Sequence, residues 1–178
     1  QLASTNLSAL TMSAWIKPVV VPSVQGTVIS KWAAFASSLA DYNLVLFSDM
    51  TMELGNGRHG SAQSLVTSNS LVVGQWQHVV ATIDPSGMGT ILINGIVRAK
   101  RSVSPLVAPG TEPVRIGEIV TATGSVVDSF NGSIDDVRLY NRALSETEVQ
   151  QLYAYESQSH CIPHGSTAVA QIVNGYFV

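Results

Sequence analysis

The stretch FNGSIDDVRLYNRALSETEVQQLY, residues 130 to 153, sets Asp135 and Asp136 side by side in what otherwise reads as a β-strand entering a short helix. Adjacent carboxylates there suit three kinds of chemistry: acid and base catalysis, ligation of a hard cation, or a clamp made of ion pairs and hydrogen bonds. Other reactive residue types are sparse. Asp49 and Glu53 stand four apart in FSDMTMEL, and they share a strand face only if no turn intervenes; a turn at residues 48 to 50 is expected. Glu146 and Glu148 fall at a helix start, where anionic groups suit the dipole. The string HCIPH brings His160, Cys161 and His164 together, but Pro163 and the lack of a second ligand cluster favour a linker over a tetrahedral metal cage. GNGRHG, residues 55 to 60, reads as a hairpin turn, and neither a phosphate-cradling loop nor a strained serine elbow is found.

The elements that must position these residues are nearly all strands. Short runs rich in Val, Ile, Thr and Trp recur every 10 to 14 residues or so with turn signals between them, the pattern of an all-β sandwich or barrel. Strands are expected at residues 11–18, 26–32, 42–48, 51–56, 64–69, 76–84, 90–94, 96–102, 113–120 and 133–141. Asn94 and Gly95 in ILINGIVRA both tolerate positive φ, which predicts a two-residue type I′ hairpin, and DPSGMGT makes a longer turn before it. Three consecutive antiparallel strands follow from these two turns. One helix is expected, from residue 146 to about 154. Ser145 is its N-cap, Glu148 completes a capping box, and Leu144 with Val149 forms the hydrophobic staple. Its apolar face, extended by Leu152 and Tyr153, is expected to plug one end of the core.

Composition bounds the function. A chain of 178 residues, 46% hydrophobic and 12% charged, can bury a sizeable core. The net charge of -3 and nine scattered Lys and Arg residues leave no basic footprint for nucleic acid or for an anionic membrane surface. No apolar run reaches the roughly 18 to 20 residues that span a bilayer, which excludes membrane insertion by a helix. The single cysteine, Cys161, rules out an internal disulfide framework. After Glu156 the character changes to a polar, Pro and Gly-bearing stretch, so the organisation expected is a β-sandwich domain over 1–156. Residues 157–178 follow as a linker with the start of a further β segment or an edge strand. Other domains of a longer chain are implied.

The motif F-N-G-x-I-D-D-V-R-L-Y-N-R-A-L-S-x-x-E-V-x-x-L resembles the closing segment of the LamG-like, concanavalin A-like lectin/glucanase jelly-roll domains. The likeness runs upstream in family order through MSAWIKP, GTVISKW, GQWQHVVATID, TILINGIVRA and VRIGE, covering roughly residues 7 to 153. It departs at the start: the phenylalanine-aspartate-glycine strand usual in the family has no equivalent between Gln1 and Ala9. The resemblance implies a two-sheet antiparallel β-sandwich, a concanavalin A-like jelly roll, with one short C-terminal helix. It also implies a structural calcium ion. By the family's D-x-x-x-Y spacing, Asp136 is the expected ligand, with Asp135 beside it and the carbonyl of Gly26 as a further donor. The alternative is that Asp136 pairs with Arg138 or Arg142 and Asp135 caps backbone N–H groups, with no metal.

The E-x-D-x-x-E strand pattern of the family's glucanases is absent, so the expectation is a domain without catalytic residues. Binding is then the function the resemblance leaves. The expected partner is a glycan or an extracellular protein, and the expected location is extracellular or the cell surface. Trp15 and Trp76 read as packing residues. Trp32 with Phe35 is the candidate aromatic platform, and Asn56, Arg58 and His59 of the GNGRHG turn are candidate hydrogen-bonding groups, with solvated turn residues as the alternative. The other expected roles are a structural or protein-interaction spacer, and an accessory domain of a glycoside hydrolase or sialidase.

Overall fold

A computed structural model describes residues 7–31, 33–34, 42–55, 64–68, 71–103, 106, 113–121, 123–160, 172–173 and 176–177. Its elements in chain order are β1 (Leu10–Pro18), β2 (Gln25–Lys31), β3 (Ala33–Ala34), β4 (Tyr42–Phe47), β5 (Met52–Gly55), β6 (Ser64–Val66), β7 (Gln77–Ile83) and β8 (Met88–Ile93). There follow β9 (Ile96–Ser102), β10 (Arg115–Ile116), β11 (Ile119–Thr121), β12 (Val126–Val127), β13 (Gly132–Tyr140), α1 (Glu146–His160), β14 (Ile172–Val173) and β15 (Tyr176–Phe177). The fold is the expected all-β sandwich. One five-stranded sheet, called A, runs β13-β1-β7-β8-β9, and the other, called B, runs β10-β2-β4-β5-β6. Among the described residues no helix is long and apolar enough to cross a membrane.

Period-2 alternation explains why these strands pack as they do. Met12, Ala14 and Ile16 of β1, Val79, Ala81 and Ile83 of β7, and Ile91 and Ile93 of β8 turn one way. They meet Ile29, Leu44, Leu46 and Leu54 of sheet B in the main core. The intervening residues Ser13, Trp15, His78, Val80, Thr82, Thr90 and Leu92 therefore lie on the outer face of sheet A. Asn94 at φ 53 and Gly95 at φ 74 make the predicted turn, with Ile93 paired to Ile96 across it.

The sequence expectation for the helix is met at its start and revised in two respects. Ser145 Oγ accepts from the Glu148 N–H at 3.2 Å, and Glu148 Oε2 accepts from the Ser145 N–H at 2.8 Å, the reciprocal bonds of a capping box. Leu144 and Val149 pack together with Val80 and Leu92 in a second apolar cluster. Since Val80 and Leu92 face away from the main core, α1 lies over the outer face of sheet A and does not plug an end of the sandwich. It also continues to His160, beyond the expected stop near 154, because Glu156 in its last turns is anchored beneath it.

Two strands also differ from the pattern expected. PVRIGEIV divides at Gly117, whose φ of 80 turns the chain, so that β10 pairs with β2 while β11 pairs with β12 and, in parallel, with β3. In β13 a bulge interrupts the period. Ser13 pairs with Arg138 and Trp15 with Asp135, leaving Asp136 and Val137 opposite Ala14 alone, with Asp136 at φ 47. Ile134, Val137 and Leu139 consequently all reach the core, which unbroken alternation does not allow. β14 and β15 hydrogen-bond to each other.

Candidate functional site

The aspartates that open the sequence question sit on this bulge. The Asp136 N–H donates to Asp135 Oδ1 at 2.8 Å, and Asp136 Oδ1 lies 3.7 Å from Arg138 Nη2, so the pair takes part in the clamp expected as the alternative to metal. Gly26 lies in the other sheet, with Phe130 and Pro22 against it. The carboxylate that reaches its strand is Asp128: Gln25 Nε2 donates to Asp128 Oδ2 at 2.5 Å, and the Thr27 N–H donates to the Asp128 carbonyl at 2.8 Å. Asp135 and Asp136 offer oxygen donors of the right hardness for calcium. Among the described residues no three acidic, His or Cys side chains converge as a metal site, so carbonyls and water would supply most of any coordination shell. Trp32, Phe35, Asn56, Arg58 and His59 lie outside the described residues. The turn expected near Ser48 is present, and Asp49 Oδ1 accepts from the Thr51 hydroxyl and then its N–H, which hold its carboxyl below the usual carboxylate range.

A constellation not foreseen from spacing lies under the C-terminal half of α1. Glu156, 3% exposed, accepts from Trp15 Nε1 at 2.8 Å, stands 3.4 Å from His78 Nε2 and is ion-paired with Arg138 Nη1. Ser13 Oγ is 2.8 Å from the same His78 nitrogen. The Tyr153 ring stacks on those of Trp15 and His78, which meet each other at a tilt, all three centroids lying 5.3 to 6.0 Å apart. These residues come from β1, β7, β13 and α1, up to 143 positions apart in the chain, and the only sequence signal was the outward-facing alternation of Ser13, Trp15 and His78.

Serine, histidine and glutamate together suggest nucleophilic catalysis, but the geometry is that of a fastening. A catalytic relay needs the acid on one imidazole nitrogen and the serine on the other, whereas here both approach Nε2. A carboxylate facing Nε2 favours the Nε2–H form of the ring. Ser13, His78 and Glu156 are all buried beneath the helix.

The N-terminal half of the same helix borders open space. A cavity of about 430 Å³ lies between the first turn of α1 and the outer face of β7, β8 and β9. Thr82 and Thr90, a cross-strand pair, form its floor with Leu92; Lys100, Ser145 and Glu146 stand around it. Lys100 Nζ donates to Glu146 Oε1 at 2.8 Å, both side chains being about half exposed at 51% and 48%. Asp84, at one end, accepts from the Ser86 hydroxyl and from the Met88 N–H, and the hydroxyl bond foremost draws its carboxyl below the ordinary range. At the other end Glu148 is lowered in the same way, chiefly by the Ser145 N–H and then by Arg142.

Sheet B carries a third polar surface. Thr27, Ser30, Asn43, Glu53 and Ser64 are all buried on its outer face. Asn43 Oδ1 lies so close to Gly55 that any side chain at that position would collide with it.

Solved structures share this architecture. A proposed carbohydrate-binding protein from Bacteroides ovatus superposes with a TM-score of 0.66 at 20% identity, over 83% of this chain and 41% of that one. The Trypanosoma rangeli sialidase superposes at 0.64 and 17% identity, over 84% of this chain and 23% of that one. Domain 4 of AbnA, an extracellular arabinanase from Geobacillus stearothermophilus, solved with arabinotriose, gives 0.61 and 23% identity, over 85% and 68%. The chain thus spans less than half the length of the first two. No curated protein matches the sequence. The family model described as the concanavalin A-like lectin/glucanases superfamily matches residues 1–150, and the chain belongs to that superfamily.

Proposed function

We propose that the chain is a non-catalytic binding module of a secreted or cell-surface protein, and that its ligand is carbohydrate. One observation carries the non-catalytic part: the set that most resembles a catalytic group, Ser13, His78 and Glu156, is sealed under α1 and bonded as a clamp. An open concavity on sheet A is lined by hydroxyls, carboxylates and short apolar surface, a mixture suited to recognition. The carbohydrate part draws support from the sugar-binding relatives above.

A glycan array covering neutral, uronic and sialic glycans, run with and without Ca²⁺, tests the proposal together with an assay for glycan hydrolysis. Specific binding without turnover is the expected result; hydrolysis would defeat the non-catalytic reading. Structural calcium belongs to the same proposal. A melting temperature that rises with Ca²⁺ and falls with chelator supports it, and indifference to both removes it.

A second reading, a spacer or an accessory domain docked on a neighbouring domain, is favoured by a different feature. Val19, Val20, Val21, Val24 and Val72 are exposed on two segments tied together by the Gly74 N–H donating to the Pro18 carbonyl at 2.7 Å. Apolar surface of that kind suits a protein contact. Silence across the whole array favours this reading.

A further inference from the structure

We infer that the cavity beside the first turn of α1 is the sugar site, taking a neutral sugar unit or a short neutral oligosaccharide on a floor made by Thr82 and Thr90; this rests on the carbohydrate reading above. The cavity volume of about 430 Å³ falls in the range of small-molecule sites, roughly 300 to 1,000 Å³. The site exists because α1 covers only part of sheet A. Leu144 and Val149 anchor the helix on Val80 and Leu92, and the next row of the sheet, Thr82, Thr90 and Lys100, borders the cavity.

The polar groups define the ligand by elimination. Asp84, Glu146 and Glu148 repel an anion. They do not gather a cation either, since each is already engaged: Asp84 by Ser86 and Met88, Glu146 by Lys100, Glu148 by Ser145 and Arg142. The two threonines are different. Thr82 is 5% and Thr90 6% exposed, both line the cavity, and among the described residues neither hydroxyl is hydrogen-bonded to another side chain or to the backbone. Each hydroxyl keeps a little solvent contact, and both residues line the cavity.

Largely buried hydroxyls with spare donor and acceptor capacity suit a partner that both gives and takes hydrogen bonds. Leu92, Leu144 and Met88 add apolar surface beside them. Alternating hydroxyl and C–H faces are the chemistry of a sugar ring. Neutral sugars also tolerate the half-exposed Lys100–Glu146 pair at the rim, where Lys100 can donate and Glu146 accept a further hydrogen bond without leaving the other.

The test is titration of the ¹⁵N-labelled protein with arabinotriose, cellotriose and galactotriose, followed by two-dimensional NMR, on the native sequence and on the Thr90→Val and Lys100→Met variants. Circular dichroism verifies that both variants fold. The expected result is that at least one sugar shifts the amides of Thr82, Thr90, Lys100 and Ser145, and that Thr90→Val weakens its binding about tenfold, as for loss of one or two hydrogen bonds in a partly buried site. Lys100→Met, which keeps the fold and removes only a rim charge, is expected to weaken binding less than threefold. Binding that shifts amides elsewhere and ignores Thr90→Val overturns this site and leaves the carbohydrate reading standing. No binding by any of the three sugars, with a silent glycan array, overturns both.

Discussion

One helix creates two opposite environments on a single sheet face. Under its C-terminal half, Glu156 is sealed against Trp15, His78 and Arg138; beside its N-terminal half, Glu146 meets Lys100 in water at the edge of an open cavity. Both are glutamates on α1, and both pair with a cation from sheet A. The difference is desolvation. A carboxylate removed from water requires every partner it has, whereas an exposed one exchanges its partner for solvent at little cost. Charge that first suggests chemistry therefore stabilises the fold where it is buried, and recognition is left to the region where the helix does not close over the sheet.

The sharpest way to break this comparison is to remove the sealed carboxylate. Glu156→Ala removes the acceptor of the Trp15 N–H and the buried partner of Arg138, which keeps Asp136 at 3.7 Å and some solvent, and a loss of about 2 to 4 kcal/mol of unfolding free energy is expected. Glu156→Gln keeps an acceptor for Trp15 and should lose less. Urea denaturation of both variants measures it. A loss below about 1 kcal/mol for the alanine would mean that the helix end is not fastened there.

The sequence disclosed the frame of this face and not its content. The ILINGIV turn and the Ser145 capping box are legible because each is a local signal with a fixed offset, whereas Trp15 reads from the sequence only as a packing residue and lies on the outer face of sheet A, under α1. The Glu156 clamp was not legible. Its partners lie 141, 78 and 18 residues away, and only the path of the helix across the sheet brings them together. The bulge at Asp136 was hidden for another reason: a one-residue slip in register leaves no mark in composition, yet it reverses which side chains of β13 face the core. The cavity is a property of where α1 stops covering Thr82 and Thr90, which no spacing in the chain encodes.

Smaller effects sharpen the comparison at the seam between the two regions. Gly95 has φ 74, and an added Cβ would meet the Tyr153 ring at 3.3 Å. Gly95→Ala therefore combines left-handed backbone strain with pressure on the stacked rings, for an expected loss of about 1 to 2 kcal/mol. It should also disturb the Tyr153 environment, read by near-ultraviolet circular dichroism. At the helix start Ser145→Ala removes the capping hydroxyl and is expected to cost about 1 kcal/mol by chemical denaturation.

The same cap carries a pH signature. Glu148 titrates below its ordinary value in the folded chain, so it binds fewer protons there than in the unfolded chain. Its contribution is complete above the ordinary carboxylate range and is lost as pH falls through the depressed folded value. Ser145→Ala removes part of that depression, since the Ser145 hydroxyl also donates to Glu148, so the variant's stability should decline less steeply on the acid side. An unchanged acid slope would assign the depression to the Ser145 N–H and Arg142 alone.

The smallest effect tests the open region itself. Lys100 and Glu146 are each about half exposed, so their ion pair is largely screened, and a double-mutant cycle with Lys100→Met and Glu146→Gln is expected to return a coupling of about 0.5 kcal/mol or less. That coupling should shrink further in 1 M salt, where charges at the surface are screened over about 3 Å. The contrast with Glu156 is then quantitative, since two glutamates on one helix would differ several-fold in what their ion pairs contribute. A coupling above about 1.5 kcal/mol that survives high salt would mean that the cavity rim is desolvated and rigid. The pair would then act as a second fastening of α1 to β9, and the division between a sealed half and an open half would fail.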